Sequence, residues 1–394
     1  MFNQYTYGLG TAKSCIRELF EFGLQRAAVV GRENVFDFSI GNPSIPAPAS
    51  VNAAAIDIIQ NEDSLLVHGY SSAPGFLDAR EAVAKELADR TGTAVSGNDL
   101  YFTCGAAPAL IAVCSALHVN NDTEILGIAP FFPEYRPFIE STGSKFVYVP
   151  ADTKEFQIDL EKLEAMINAN TQAVIINSPN NPSGVVFSKE TLTKVAEILT
   201  KKSEEFGRPV YLISDEPYRE LVYDGVEVPW VPSVYKDTIV CYSYSKSLSL
   251  PGERIGYVYI PAGMTDAKEV FAAVAGASRV LGHVCPPTLI QRVVARCAYE
   301  KPDLAAYDEN RKVLYNGLKE IGYECAKPDG AFYLFVKAPG GDGKAFSEKC
   351  KEYNLLVVPS DDFGVEGYFR LCYCVSKDMI ERSLPVFAEV LKTY

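Results

Sequence analysis

The sequence predicts an α/β protein: a large domain with a mostly parallel sheet sandwiched by helices, plus a smaller α+β domain from the N- and C-terminal segments. Three observations predict it. Between residues 100 and 260, short apolar runs rich in β-branched residues alternate with helical patterns, the rhythm of a parallel sheet covered on both faces. After residue 330 that rhythm gives way to a different succession of short strands and helices. The chain has 394 residues and 48% hydrophobic content, which favours two to three domains or one large domain plus a smaller one. The expected divisions are 1–48 for an N-terminal arm and part of the small domain, 49–285 for the large domain, and 286–394 for the small C-terminal domain.

Residues 12–30 carry Ile16, Leu19, Phe20, Gly23, Leu24, Ala27 and Ala28 at helical spacing, which predicts an amphipathic helix. Residues 35–40 read as a short strand. The segment from Gly41 to Pro48 is extended and stiffened by proline, a crossing between the two domains. Residues 68–75 form a loop ahead of a helix over 76–91. Strands follow at 100–103, 124–128, 145–149, 173–177, 210–214, 238–242 and 255–260. Helices are expected from about 106, near 133–142, near 159–168 and over 188–206. Helical patterns then fill 264–280, 287–299 and 303–321. In the tail, strands near 331–336, 355–358 and 368–373 mix with helices near 344–353 and 377–392. Residues 340–344 form an exposed turn. There are no internal repeats and no low-complexity tract.

Composition excludes several classes of function. A net charge of −13 argues against a nucleic-acid surface and against anionic membranes. No apolar run approaches the ~20 residues that span a bilayer. The first residues, Met1 to Tyr5, lack the basic and apolar regions of a secretory signal, so a cytoplasmic location is expected. Ten cysteines lie mostly singly in apolar segments, as at Cys104, Cys114, Cys241 and Cys297, and read as small buried hydrophobes. No Cys-x-x-Cys exists; Cys372 and Cys374 are two apart. Three histidines without ligand spacing make a metal site unexpected.

The chemistry concentrates at the carboxyl ends of strands, where open parallel sheets bind ligands. Strand 238–242 runs into a loop, Ser243-Tyr244-Ser245-Lys246 through Arg254. A desolvated lysine can form a Schiff base with a carbonyl, and serines with an arginine fork suit a phosphate. Strand 100–103 ends in Gly105-Ala106-Ala107, either a tight turn or a helix start whose free N–H groups suit a phosphate. Strand 173–177 ends in Asn180-Asn181-Pro182-Ser183-Gly184, a turn or a polar site. Strand 210–214 ends in Asp215-Glu216-Pro217-Tyr218. There Asp215 is a helix cap or a buried carboxylate partner for a protonated ring nitrogen, and Tyr218 is core or site. Arg370 sits among aromatic strand residues, a carboxylate clamp or a snorkelling cation.

Taken together, these blocks resemble the pyridoxal-phosphate-dependent aminotransferases of fold type I, class I/II, the aspartate aminotransferase superfamily, over nearly the whole chain. The resemblance implies pyridoxal 5′-phosphate as cofactor, with Lys246 as its Schiff-base lysine and proton shuttle. It implies that Asp215 pairs with the ring nitrogen. Tyr218 and Asn181 would bond the ring's phenolic oxygen, and Phe132 would stack on the ring. Ser243, Arg254 and the Ala106 and Ala107 amides would hold the phosphate. Arg370, Gly41 and Asn181 would bind the substrate carboxylate, and Tyr70 would reach across from a partner subunit, so a homodimer is implied. The sequence departs from the pattern in the phosphate loop, where Ala106, Ala107 and Pro108 offer no polar side chain. Phe132 also lacks a polar edge.

The activity so implied is ping-pong transamination between an L-amino acid, aspartate among the candidates, and a 2-oxo acid such as 2-oxoglutarate. The alternative is a carbon–sulfur β-lyase on the same lysine. A cofactor-sensing regulator would need a basic DNA-binding arm, and a nicotinamide dehydrogenase a G-x-G-x-x-G turn after a strand; neither feature is present. Arg279 and His283 are left without a role; a structural role for Arg279 is favoured over a second substrate cation.

Overall fold

A computed structural model describes residues 1–11 and 15–394 of the chain. The strands are β1 (Phe36–Asp37), β2 (Leu100–Thr103), β3 (Glu124–Ile128), β4 (Lys145–Val149), β5 (Thr171–Asn177), β6 (Tyr211–Asp215), β7 (Thr238–Ser243) and β8 (Gly256–Tyr259). They continue with β9 (Tyr333–Lys337), β10 (Leu355–Leu356), β11 (Val358–Pro359) and β12 (Tyr368–Cys372). Seven of them form one sheet in the order β2-β8-β7-β6-β5-β3-β4. All of its pairings are parallel except those of β8, which runs against both neighbours.

Each face of this sheet has its own core, because alternate strand residues point to opposite sides. Ile125, Ile175, Ile213 and Ile239 pack with Leu110 and Val113 of helix Ala106–Ala116 and Val270 and Val274 of helix Ala267–Val280. Their neighbours Leu126, Val174, Ile176 and Leu212 pack with Leu192, Val195 and Leu199 of helix Lys189–Phe206. That continuous burial on both faces explains the unbroken apolar strands in the sequence.

The remaining strands make a three-stranded antiparallel sheet, β11-β12-β9, and a parallel pair, β1-β10. The pair joins the N-terminal segment to the C-terminal one, with Phe36 opposite Leu355. Tyr307, Leu314, Phe346, Ile380 and Phe387 of three helices cover the antiparallel sheet.

Several expected elements shift. Helix 12–30 is seen as Cys15–Val30; residues 12–14 of it lie outside the described residues. The loop expected to open at residue 68 starts one residue later, because His68 ends a one-turn helix, Ser64–His68. Ahead of it lies an unexpected helix, Ala49–Asn61, seated on Val51, Ala54 and Ile58. Helix Thr288–Arg296 packs through Ile290, Val293 and Val294 with Leu100, Tyr257 and Val83, beside the large sheet. No helix among the described residues is long and apolar enough to cross a membrane.

Candidate active site

A cavity of about 520 Å³ opens at the carboxyl ends of β2, β5, β6 and β7. Gly41, Ala106, Ala107, Phe132, Asn181, Asp215, Tyr218, Ser243, Lys246, Arg254 and Arg370 all line it, so the sheet edge brings together residues spread over 330 positions of sequence. Tyr70 does not line it; it is 94% exposed. Arg279 is exposed and His283 half-buried, and neither reaches the cavity.

Lys246 is not on an open loop. It stands in a one-turn helix, Tyr244–Ser247, capped by Ser243, whose Oγ accepts from the Ser245 N–H at 3.0 Å. The back of this turn is clamped by a 2.7 Å hydrogen bond between Tyr242 and Ser247, and by the stacking of Tyr242 on Tyr257. The amine donates to the Gly41 carbonyl at 2.8 Å and lies 5.4 Å from the Phe332 ring centre. Burial, joined by the charges of Arg370 and Arg254, holds the Lys246 ammonium below the usual lysine value. A lysine so placed gives up its proton more readily than one in water.

Asp215 ends β6 and is 4% exposed. No helix follows it, so it caps none. Its Oδ2 accepts from Tyr135 at 2.6 Å, while Oδ1 is buried without a partner. Burial pushes its acid up to about 7, against the pull of the Tyr135 hydrogen bond and with a smaller push from Glu216. An unpaired buried carboxylate oxygen is costly and is suited by a cationic N–H.

Arg370 on β12 is 2% exposed. It donates to neutral oxygens, Asn181 Oδ1 at 3.0 Å and the Ser39 carbonyl at 2.6 Å, and its Nε has no partner. Its guanidinium lies over the rings of Tyr333 and Phe363. A buried cation satisfied only by neutral groups is a standing site for a carboxylate. Asn181 is fixed in turn, its N–H donating to Asn177 Oδ1 at 2.7 Å.

Opposite, Gly105 caps helix Ala106–Ala116 with φ +97°, a left-handed value that favours glycine. A Cβ on Gly105 would stand 2.9 Å from Arg254 Nη2, so the guanidinium lies directly against the start of that helix. Ser243 and Ser245 are linked by a 2.6 Å hydrogen bond on the same wall. The helix N–H groups, Arg254 and the two serines make an anion cup without polar side chains in the loop itself.

Sequence reasoning missed Tyr135, Tyr333, Asn177 and Ser245, along with Ile16, Arg17 and Phe20 of the helix over the mouth. Tyr333 holds Tyr218 by a 2.9 Å bond between their hydroxyls. Ser245 stood inside the Ser243–Arg254 block and could have been read as a further phosphate partner. The tyrosines carry no local signal, because their partners lie 80 and 115 residues away.

Residues 33–386 match the family described as "Aminotransferase class I and II". The aromatic-amino-acid aminotransferase 2 of Thermococcus litoralis is 29% identical, over 96% of this chain and 95% of its own. A crystal structure of an amino transferase from Eubacterium rectale superposes with a TM-score of 0.98 at 53% identity, covering 100% of this chain and 99% of that one. The aspartate aminotransferase of Thermus thermophilus with maleate superposes with a TM-score of 0.86 at 25% identity, covering 99% and 100%.

Proposed function

The chain belongs to the class I and II aminotransferases, and we propose that it moves an amino group between an L-amino acid and a 2-oxo acid such as 2-oxoglutarate with pyridoxal 5′-phosphate as its cofactor. One observation carries the cofactor: the orphaned Oδ1 of Asp215, buried in the lining of a cavity that also holds a buried amine and an anion cup. A protonated pyridine nitrogen would fill that vacancy in Asp215's hydrogen bonding. The cup of Ala106, Ala107, Ser243 and Arg254 would hold the phosphate. When bound, the cofactor supplies a carbonyl for Lys246 and a sink for the electrons left when the substrate's α C–H bond breaks.

The chain's own residues do the rest. Arg370, with Asn181 and the Gly41 segment, grips the substrate α-carboxylate and so fixes which bond faces the amine. Lys246 Nζ, its proton loosened by burial, takes the α-proton and carries it back, a positioned transfer that typically contributes ~10²–10⁴-fold. Asp215, oriented by Tyr135, would hold a proton at the ring nitrogen. Tyr218, held by Tyr333, and Asn181 would serve the ring's phenolic oxygen, and Phe132 would cover the ring.

The amino donor we propose is aspartate; Arg17 is a cation in the cavity lining besides Lys246, Arg254 and Arg370. The apolar wall of Phe20, Phe132 and Phe138 also suits a large apolar donor, so a panel of donors against 2-oxoglutarate decides between them. The working unit proposed is a homodimer with shared sites. Tyr70, Leu65 and Val280 are 94%, 82% and 88% exposed, large apolar side chains of the kind that subunits cover.

Borohydride reduction of the cofactor-loaded enzyme followed by peptide mapping tests the central assignment. Cofactor is expected on Lys246, and Lys246→Ala is expected to carry none and to lose turnover. A label on another residue, or full turnover by the variant, overturns it.

A further inference from the structure

Cys372 and Cys374 are separated by one residue at the end of β12, and their sulfurs lie 2.8 Å apart. Both are free thiols, 0% and 4% exposed. Both follow Arg370 at intervals of two; Arg370 and Cys372 leave β12 on one side, and the sulfur of Cys374, just past the strand end, lies beside that of Cys372. The segment Ser39-Ile40-Gly41 ties this row to the site. The Ser39 carbonyl accepts from Arg370, the Ile40 carbonyl lies 3.8 Å from Cys374 Sγ, and the Gly41 carbonyl accepts from Lys246. Ile40, Gly41, Lys246 and Arg370 line the cavity, so Cys374 sits one layer beneath its wall.

We infer that Cys372 and Cys374 form an oxidisable dithiol that hydrogen peroxide, entering through the cavity, converts to a disulfide, and that closing it switches off the adjoining site. The Cys372 sulfur takes one oxygen from peroxide, the O–O bond breaks and water leaves, giving a sulfenic acid. The Cys374 sulfur then displaces that oxygen as a second water. Two thiols lose two electrons and peroxide is reduced to two waters.

Charge favours the first step. Although burial works against it, the hydrogen bond with Cys374 and the nearby Arg370 and Lys246 charges hold the Cys372 thiol below its usual value. Strand residues two apart lie at the upper end of the Cα separation a disulfide accepts, about 6.8 Å. Closing the bridge therefore draws in the backbone beyond Cys372, where the strand has ended and can yield. That movement pulls on Ile40, and through its neighbours on the oxygens that hold Arg370 and Lys246. A strained bridge of this kind is readily reduced again.

The activity effect rests on the transamination reading; the bridge itself does not. The experiment treats cofactor-loaded enzyme with hydrogen peroxide, quenches with catalase, alkylates free thiols and maps peptides by mass spectrometry. The peptide holding both cysteines is expected unalkylated and lighter by two hydrogens. Activity is expected to fall roughly ten- to a hundredfold, as displaced positioning groups do, and to return with dithiothreitol. Cys374→Ser is expected to keep its untreated activity and to lose its peroxide sensitivity. The inference fails if that peptide stays alkylated while activity falls, if the bridge forms with activity intact, or if Cys374→Ser is as sensitive as the parent chain. An enzyme that bridges its thiols on peroxide treatment, yet transfers no amino group even before treatment, would sink the proposed reaction instead.

Discussion

The hydroxyl of Tyr135 donates a 2.6 Å hydrogen bond to one oxygen of Asp215 and leaves the other oxygen without a partner. This relationship orients the acid. Asp215 sits at the end of a buried strand, and its side chain could turn toward the core or the cavity. Tyr135, itself fully buried, satisfies one oxygen from the core side and commits the other to whatever the cavity holds.

Tyr135→Phe is therefore expected to weaken catalysis without removing any group that reaches the substrate. Loss of a hydrogen bond to a charged group costs about 1.5–3 kcal/mol, which predicts roughly ten- to a hundredfold in kcat/KM. That bond is what opposes the upward push of burial on Asp215. The acid limb of the pH–rate profile should accordingly move to higher pH. A profile whose limb stays in place would show that Tyr135 only fills space.

The same acid makes a second prediction for the cofactor-free chain. Burial raises Asp215 from 3.8 to about 7, so between those values the folded chain holds a proton that the unfolded chain releases. Its contribution to stability is complete below about pH 4 and is lost as pH rises through about 7, by roughly 4 kcal/mol at 1.36 kcal/mol per unit. Urea unfolding of the stripped protein against Asp215→Asn checks it. The difference in unfolding free energy between the two should fall across that window, and cofactor should abolish the fall by pairing the ionised acid. A difference that is flat with pH counts against the burial argument.

How far the sequence led depends on what each feature needs. β2 and β3 were legible to the residue because a strand buried on both faces is a nearly unbroken apolar run. The reversed direction of β8 was not, since side-chain alternation is the same either way along a strand. Helix Ala49–Asn61 was masked by the prolines before it and its alanine-rich middle, although Val51, Ala54 and Ile58 do mark one face. Lys246, Asp215 and Asn181 stood out because their chemistry is written in local blocks at strand ends. The paired hydroxyls of Tyr218 and Tyr333 and the Ser39 contact of Arg370 could not, because only the folded chain brings such distant segments together.

Arg370→Lys keeps a cation in that buried place but loses the planar fork. The hydrogen bonds to Asn181 and Ser39 cannot both survive alongside a two-point grip on a carboxylate. KM for both the amino acid and the 2-oxo acid is expected to rise about ten- to a hundredfold, with a smaller change in kcat. Steady-state kinetics on each substrate in turn provides the readout. A variant with unchanged KM and depressed kcat would place Arg370 with the reacting atoms rather than the carboxylate.

Gly105→Ala separates the anion cup from the rest of the site. Alanine at φ +97° is strained by about 1–3 kcal/mol, and its Cβ would press on Arg254 Nη2. Both effects fall on the start of helix Ala106–Ala116, so cofactor should dissociate at least ten times more readily. Lys246 and Arg370 stay in place. Gly207 provides the control, because it has a similar positive φ of +66° at a helix end with open space around it. Gly207→Ala should lower the melting temperature and leave cofactor affinity alone. Equilibrium dialysis of both variants tests the cup: equal affinities would mean that the phosphate is held elsewhere, since strain alone would then account for everything Gly105→Ala does.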